Sequence, residues 1–183
     1  MRILGLSGSL RHDSHNTRLL RGAGGLLPGG TELVLFEGLA GIPPFNEDDE
    51  HTPPAAVEAL RRAIAEADGV LVATPEYNAS IPGVLKNALD WVSRPVAETP
   101  LRGKPAAVIG ASTSLFGAVW AQAETRKVLA TIGARVVDRE LPVAQAEEAL
   151  GENGLPLDRD LLDGLSATLD ELLELTEIRQ AAV

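Results

Sequence analysis

The chain has 183 residues, 45% of them hydrophobic, with a formal net charge of −10 and a pI of about 4.7. That length suits one domain, 1–183, with a substantial core, and the acidic balance repels nucleic acid and anionic membranes. No apolar run is long enough to span a bilayer, the opening run is too short for a signal peptide, and the absence of cysteine excludes disulfides, thiolate catalysis and cysteine-ligated metals, as expected of a cytoplasmic protein.

Ile3-Leu4-Gly5-Leu6 reads as a buried strand, and Leu19, Leu20, Ala23, Leu26 and Leu27 recur at helical spacing. Residues 7–17 between them are rich in hydrogen-bond donors. Gly8 permits a tight turn, Ser9, Ser14 and Thr17 bring hydroxyls, Asn16 an amide and Arg11 a guanidinium. The loop runs into a helix N-terminus, where free N–H groups and the positive dipole end favour an anion. Capping by Ser14 or Asn16 explains one such residue, not five donors and an arginine together. The pattern points to a phosphate monoester held without a metal. No Gly-Lys-Ser/Thr follows, so this is not a nucleotide P-loop. Gly22-Ala23-Gly24-Gly25 falls at the end of the helix, so it is not a dinucleotide fingerprint.

Thr31 to Phe36 alternates and predicts a second strand. Gly38 to Pro54 is a long connection of the kind that is commonly functional or mobile, and its run Glu47-Asp48-Asp49-Glu50 is a solvated acidic loop rather than a calcium loop. A helix over 54–67 is followed by the continuous apolar run Gly69 to Thr74, a strand buried on both faces. After the loop Pro75-Glu76-Tyr77-Asn78-Ala79, Ser80 is a candidate cap and Pro82 falls in the first turn of a helix ending near Arg94-Pro95. Pro105 to Ala111 is a fourth strand, 118–132 a helix, Ala134 to Val137 a fifth strand, 141–156 irregular or partly helical, and the chain ends in an amphipathic helix through Leu161 and Leu173.

Five strands alternating with helices predict an α/β fold: a doubly wound, five-stranded parallel sheet in three α/β/α layers, in the flavodoxin-like order 2-1-3-4-5. Ligands bind such sheets at the carboxyl ends of strands one and three. Loops 7–17, 75–80 and 111–117 converge there. The first holds a phosphate. The second offers backbone groups and the chain's single tyrosine to the edge of a planar heterocycle, and the third is small enough for a flat ring to approach. Flavin mononucleotide (FMN) fits this layout.

A serine hydrolase is the competing enzyme class. Gly5-Leu6-Ser7-Gly8-Ser9 and Gly110-Ala111-Ser112-Thr113-Ser114 approach the nucleophile elbow, but both lack its last glycine. His12, His15 and His51 follow neither triad order nor metal-ligand spacing and read as surface or loop histidines.

Gly8-Ser9-Leu10-Arg11-x-x-Ser14-x-Asn16 resembles the phosphate loop of the NADPH-dependent FMN reductase family, the flavodoxin-like quinone, chromate and azo reductases. The run from Thr74-Pro75-Glu76-Tyr77-Asn78 through Ser80 to Asp90-Trp91 resembles that family's second signature, and Gly110-Ala111-Ser112 with Gly117-Ala118 and Gln122 its third. Thr113-Ser114 stands where the family often has Pro-Gly. The resemblance implies that Ser9, Arg11, Ser14 and Asn16, with Thr17 nearby, hold the FMN phosphate. Pro75, Glu76, Tyr77 and Asn78 would line the isoalloxazine and Ser112 would border it. It implies NADPH or NADH as hydride donor and a small-molecule acceptor: a quinone, free flavin, an azo dye or a metal oxyanion such as chromate. It implies a homodimer or homotetramer, with Lys86, Asp90, Trp91 and Arg94 available to the interface. No catalytic side chain and no metal are expected, because the cofactor carries the chemistry. The alternatives are a flavodoxin-type electron carrier serving a protein partner and a nucleotide-binding regulatory module.

Overall fold

A computed structural model describes residues 1–181. Its strands are β1 (Arg2–Ser7), β2 (Glu32–Leu35), β3 (Gly69–Thr74), β4 (Pro105–Ala111), β5 (Arg135–Val136) and β6 (Pro142–Val143). Its helices are α1 (His15–Gly24), α2 (Ala55–Glu66), α3 (Gly83–Val92), α4 (Val119–Ile132), α5 (Ala146–Ala149) and α6 (Arg159–Ala181). The sheet is parallel throughout and has the expected order β2-β1-β3-β4-β5. The additional strand β6 lies in the stretch expected to be irregular or partly helical. It pairs with β4 beyond β5, setting Pro142 opposite Gly110 and Val143 opposite Ala111.

Successive residues of the central strands feed opposite cores. Val70 and Val72 face α2 and α3, while Leu71 and Ala73 face α1 and α6. Burial on both faces explains why β3 and β4 are continuous apolar runs. On the first face Trp91 is buried. Its indole N–H donates to the Pro43 carbonyl at 2.8 Å and its ring meets Phe45 edge to face at 5.0 Å. Trp91 is therefore a core residue and not available to an interface. Asn87 completes the anchor: its amide donates to the Pro43 carbonyl at 2.9 Å, and its oxygen accepts from the Phe45 N–H at 2.8 Å. The long connection after β2 is pinned to α3 at these points and carries two short 3-10 turns, Leu39–Gly41 and Glu47–Asp49. Among the described residues no carboxylate and histidine group is arranged to hold a metal ion, and no helix is long and apolar enough to cross a membrane.

Away from the loop end of the sheet, the buried Lys104 donates from Nζ to the carbonyls of Ala65 and Ala67, the last acceptors of α2. Burial pushes its pKa down to about 8.

Gln122 on α4 is fully buried. Its Nε2 donates to the carbonyls of Gly117 (2.9 Å) and Leu141 (3.0 Å), and its Oε1 accepts from the Leu141 N–H (3.0 Å). It thereby fixes the approach to β6 against β4. Gln122→Leu conserves most of the volume but orphans these main-chain groups, so urea denaturation should show a loss of about 2–4 kcal/mol.

Candidate active site

Three loops meet at the carboxyl ends of β1, β3 and β4. Gly8 follows β1, and its N–H donates to the Ala73 carbonyl at 2.8 Å. A Cβ there would stand 3.1 Å from Leu85 Cδ2 and 3.2 Å from Pro75 Cδ, so a side chain would press on α3 and on the first residue of the second loop. Ser14 is the N-cap of α1: its Oγ accepts from the Thr17 N–H at 3.2 Å. The His15 and Asn16 N–H groups in that first turn have no acceptor among the described residues.

Asn16 is buried, and its carboxamide closes on the main chain of Ala111 in both directions. Nδ2 donates to the Ala111 carbonyl at 2.8 Å, and the Ala111 N–H donates to Oδ1 at 2.9 Å. Thr17 Oγ1 donates to Ser7 Oγ at 2.8 Å. Ser9 Oγ accepts from the Arg11 N–H at 3.4 Å. The exposed Arg11 guanidinium has no acceptor among the described residues.

The second loop is a tight hairpin. Tyr77 and Ser80 exchange N–H···O bonds of 3.1 Å, and Asn78 and Ala79 between them both have left-handed φ, 54° and 58°. Two carboxylates clamp this loop to α4. Glu76 Oε2 accepts from the N–H groups of Trp120 and Ala121, both at 3.1 Å, at the helix N-terminus. Glu124 Oε2 accepts in turn from Ser80 Oγ at 2.6 Å and the Ile81 N–H at 3.2 Å. Those two hydrogen bonds hold Glu124 below its ordinary carboxylate pKa, with Lys127 and Lys86 adding to the effect. Ser80 serves Glu124 instead of capping α3, whose N-cap is Pro82.

In the third loop Ser112 Oγ bonds Ser114 Oγ at 3.0 Å and accepts the Ser114 N–H at 3.1 Å, closing a small serine turn at the Thr113-Ser114 departure. Gly117 has φ 58°, and a side chain there would collide with the main chain of Pro142. Leu115, Phe116 and Trp120 project outward, with the last two rings 5.0 Å apart.

A cavity of about 90 Å³ collects eight of the ten expected site residues: Ser9, Arg11, Ser14, Asn16, Pro75, Glu76, Tyr77 and Ser112. Thr17 and Asn78 lie outside it. Arg11 and Tyr77 also line an open groove of about 380 Å³ that continues over Gly8, Pro82 and Val84. The arrangement fits a phosphate at the α1 N-terminus with a flat ring extending between the second and third loops.

Sequence reasoning missed His15 and Thr113 as cavity residues. His15 is half-buried, and both ring nitrogens are shielded from solvent without a partner among the described residues. Its pKa is pushed down by burial and then by Arg11 and Arg18, against a smaller opposing pull from Glu147. His12 and His51 are exposed, as expected. The signal for His15 was its place at the first position of the capped helix, directly after Ser14.

In the second loop, Ala79→Gly relieves the left-handed strain of a non-glycine residue at a small cost in chain entropy. Urea denaturation should show a gain of about 0.5–1 kcal/mol. The Glu124 clamp also has a pH signature. Its folded pKa lies below the unfolded one, so its stabilisation is present at neutral pH and is lost as pH falls through the depressed value. In thermal melts from about pH 7 to about pH 3, the advantage of the parent over Glu124→Gln should disappear at the acid end.

Residues 1–148 match the family described as NADPH-dependent FMN reductase. An NAD(P)H-dependent FMN reductase of Pseudomonas aeruginosa is 44% identical over 160 residues, 86% of this chain and 85% of that protein. A 2-hydroxy-1,4-benzoquinone reductase of a Burkholderia species is 36% identical over 93% of each chain. Among solved structures, the flavoenzyme NAD(P)H:(acceptor) oxidoreductase of Paracoccus denitrificans superposes with a TM-score of 0.83 at 35% identity, covering 96% of this chain and 97% of its own. The flavodoxin-like fold and the reductase class expected from the sequence both hold, and the chain belongs to the NADPH-dependent FMN reductase family.

Proposed function

We propose that this chain is an FMN-dependent NAD(P)H oxidoreductase acting on a quinone-type acceptor. The observation that carries the reading is the donor set of the first loop: a capped helix N-terminus with two uncommitted N–H groups, facing a cavity into which an uncommitted arginine also opens. In a chain of net charge −10, that local set is what draws a phosphate. Arg11, Ser9 and the His15 and Asn16 N–H groups hold the phosphate. Ser14 caps the helix, and the Asn16 carboxamide and Thr17 hydroxyl keep the loop in shape. Pro75, Tyr77 and Asn78 present the second loop to the ring, Glu76 fixes that loop to α4, and Ser112 borders the ring from the third.

When bound, FMN supplies the redox chemistry, taking a hydride from NADPH or NADH and returning two electrons to the acceptor. The side chains position and exclude; none is placed to act as a general acid or base. The single exposed aromatic of the second loop, Tyr77, leaves room for nicotinamide and acceptor to use the same face in turn. The named relatives favour a reductase over a flavodoxin-type carrier. Quinones lead the acceptors on the same ground, ahead of free flavin, azo compounds and metal oxyanions. A homodimer or homotetramer in the cytoplasm completes the proposal. The exposed Leu115, Phe116 and Trp120 beside the site are its contact surface, in place of the buried Trp91.

The test is the visible spectrum of the purified chain after FMN addition and desalting, followed anaerobically with each nucleotide. A retained flavin band that bleaches on mixing is expected; a retained band that neither nucleotide bleaches would return the chain to the electron carriers. Arg11→Ala should weaken FMN binding by about 1.5–3 kcal/mol, on the order of 10- to 100-fold, while turnover of the loaded enzyme changes little. Equal FMN affinity in variant and parent, read by flavin fluorescence titration, would remove Arg11 from the phosphate site.

A further inference from the structure

His15 lines the cavity of about 90 Å³ together with Ser9, Arg11 and Ser14, and both of its ring nitrogens are shielded from solvent without a hydrogen bond among the described residues. An imidazole held this way forgoes a donor and an acceptor interaction that water would otherwise supply. Buried polar groups are nearly always paired, so an orphan in the wall of a binding cavity points to a group that arrives from outside. The other two histidines show no such defect. His12 bonds Asp13 at 3.0 Å, and His51 is exposed.

The charges around the ring come from three elements: Arg11 in the first loop, Arg18 on α1 and Glu147 on α5. Burial, then Arg11 and then Arg18 hold the imidazole below the ordinary histidine pKa, and Glu147 opposes them more weakly without accepting a hydrogen bond from it. Glu76, a further ionisable group of the cavity, is turned to the N–H groups of Trp120 and Ala121. The ring is therefore largely neutral at neutral pH. A phosphate entering the cavity changes that balance. It would neutralise the Arg11 guanidinium, which has no acceptor among the described residues, and its own negative charge favours a positive ring. Arg18 stays committed to the Gly151 carbonyl at 2.8 Å, and Glu147 keeps its favourable pull. The group that supplies the missing acceptor thus also removes part of the charge that opposed protonation.

We propose that the His15 imidazole is a further ligand of the FMN phosphate and takes up a proton from solvent as the phosphate enters, so that cofactor retention is coupled to pH. The inference rests on the reductase reading above and adds a titrating side chain to its cofactor site. The added affinity is fully present below the pKa of the free protein and is lost as pH rises through the higher value of the complex.

The test compares FMN with riboflavin, which lacks the phosphate, on the full chain freed of flavin. Calorimetric titration at about pH 7.5, where a phosphate monoester is already a dianion, in buffers of different ionisation enthalpy reads the protons exchanged. FMN binding to the parent should take up a fraction of a proton, and riboflavin binding none. His15→Gln keeps a donor but does not titrate, so FMN should bind it without uptake. In fluorescence titrations the parent should hold FMN about tenfold more tightly than His15→Gln at about pH 6.5, and the two should converge near about pH 9, because each unit of pKa rise on binding is worth tenfold. Equal proton uptake with FMN and riboflavin, or an affinity gap between parent and variant that is constant across pH, would overturn the proposal and leave His15 a packing residue. The riboflavin comparison needs no variant, so a substitution that disturbs α1 does not obscure it. A parent that retains FMN without proton uptake would overturn the role of His15 alone, whereas a parent that retains no FMN would overturn the reductase reading with it.

Discussion

The two hydrogen bonds between the Asn16 carboxamide and the Ala111 main chain join segments 95 residues apart in a buried setting. They tie the start of α1 to the carboxyl end of β4. The first loop can then arch over the sheet without a ligand to hold it, and the third loop begins from a fixed point. A carboxamide is suited to this task because it is donor and acceptor at once and matches a peptide N–H and C=O on one side. An aspartate at that position would meet the Ala111 carbonyl with an acceptor, and a serine would not reach both groups.

The second loop is held by a different principle. Glu76 reaches from the loop to the free N–H groups of α4, and Glu124 reaches from α4 back to the loop. The reciprocal carboxylates offset the strain of two successive left-handed residues at the tip. A preorganised loop matters where the cofactor does the chemistry, since the protein contributes position more than reactivity.

The sheet was legible because β3 and β4 are buried on both faces and write that burial as unbroken apolar runs. The loops around it were legible as a place where donors gather, but not as individual roles. Asn16 and Glu76 look like ligand contacts in the sequence, yet their partners lie 95 and 44 residues further on, and no local pattern announces such pairs. β6 is two residues long and has no periodicity of its own; β4 supplies its partners, and Gln122 holds the preceding Leu141 in place. Trp91 reads equally as a core or an interface residue until the Pro43 carbonyl and the Phe45 ring are brought beside it.

The burial of Lys104 has a practical side. The chain has three lysines, and this one is enclosed beneath the sheet with its amine turned to the end of α2. The other two, Lys86 and Lys127, stand in the wall of a single cavity. Amine-directed chemistry on the folded protein, whether a cross-linker, a dye or an activated resin, is therefore confined to that wall and the chain's amino terminus. A surface coupled through lysine would hold the molecules with few orientations and with the α3–α4 face turned toward the support.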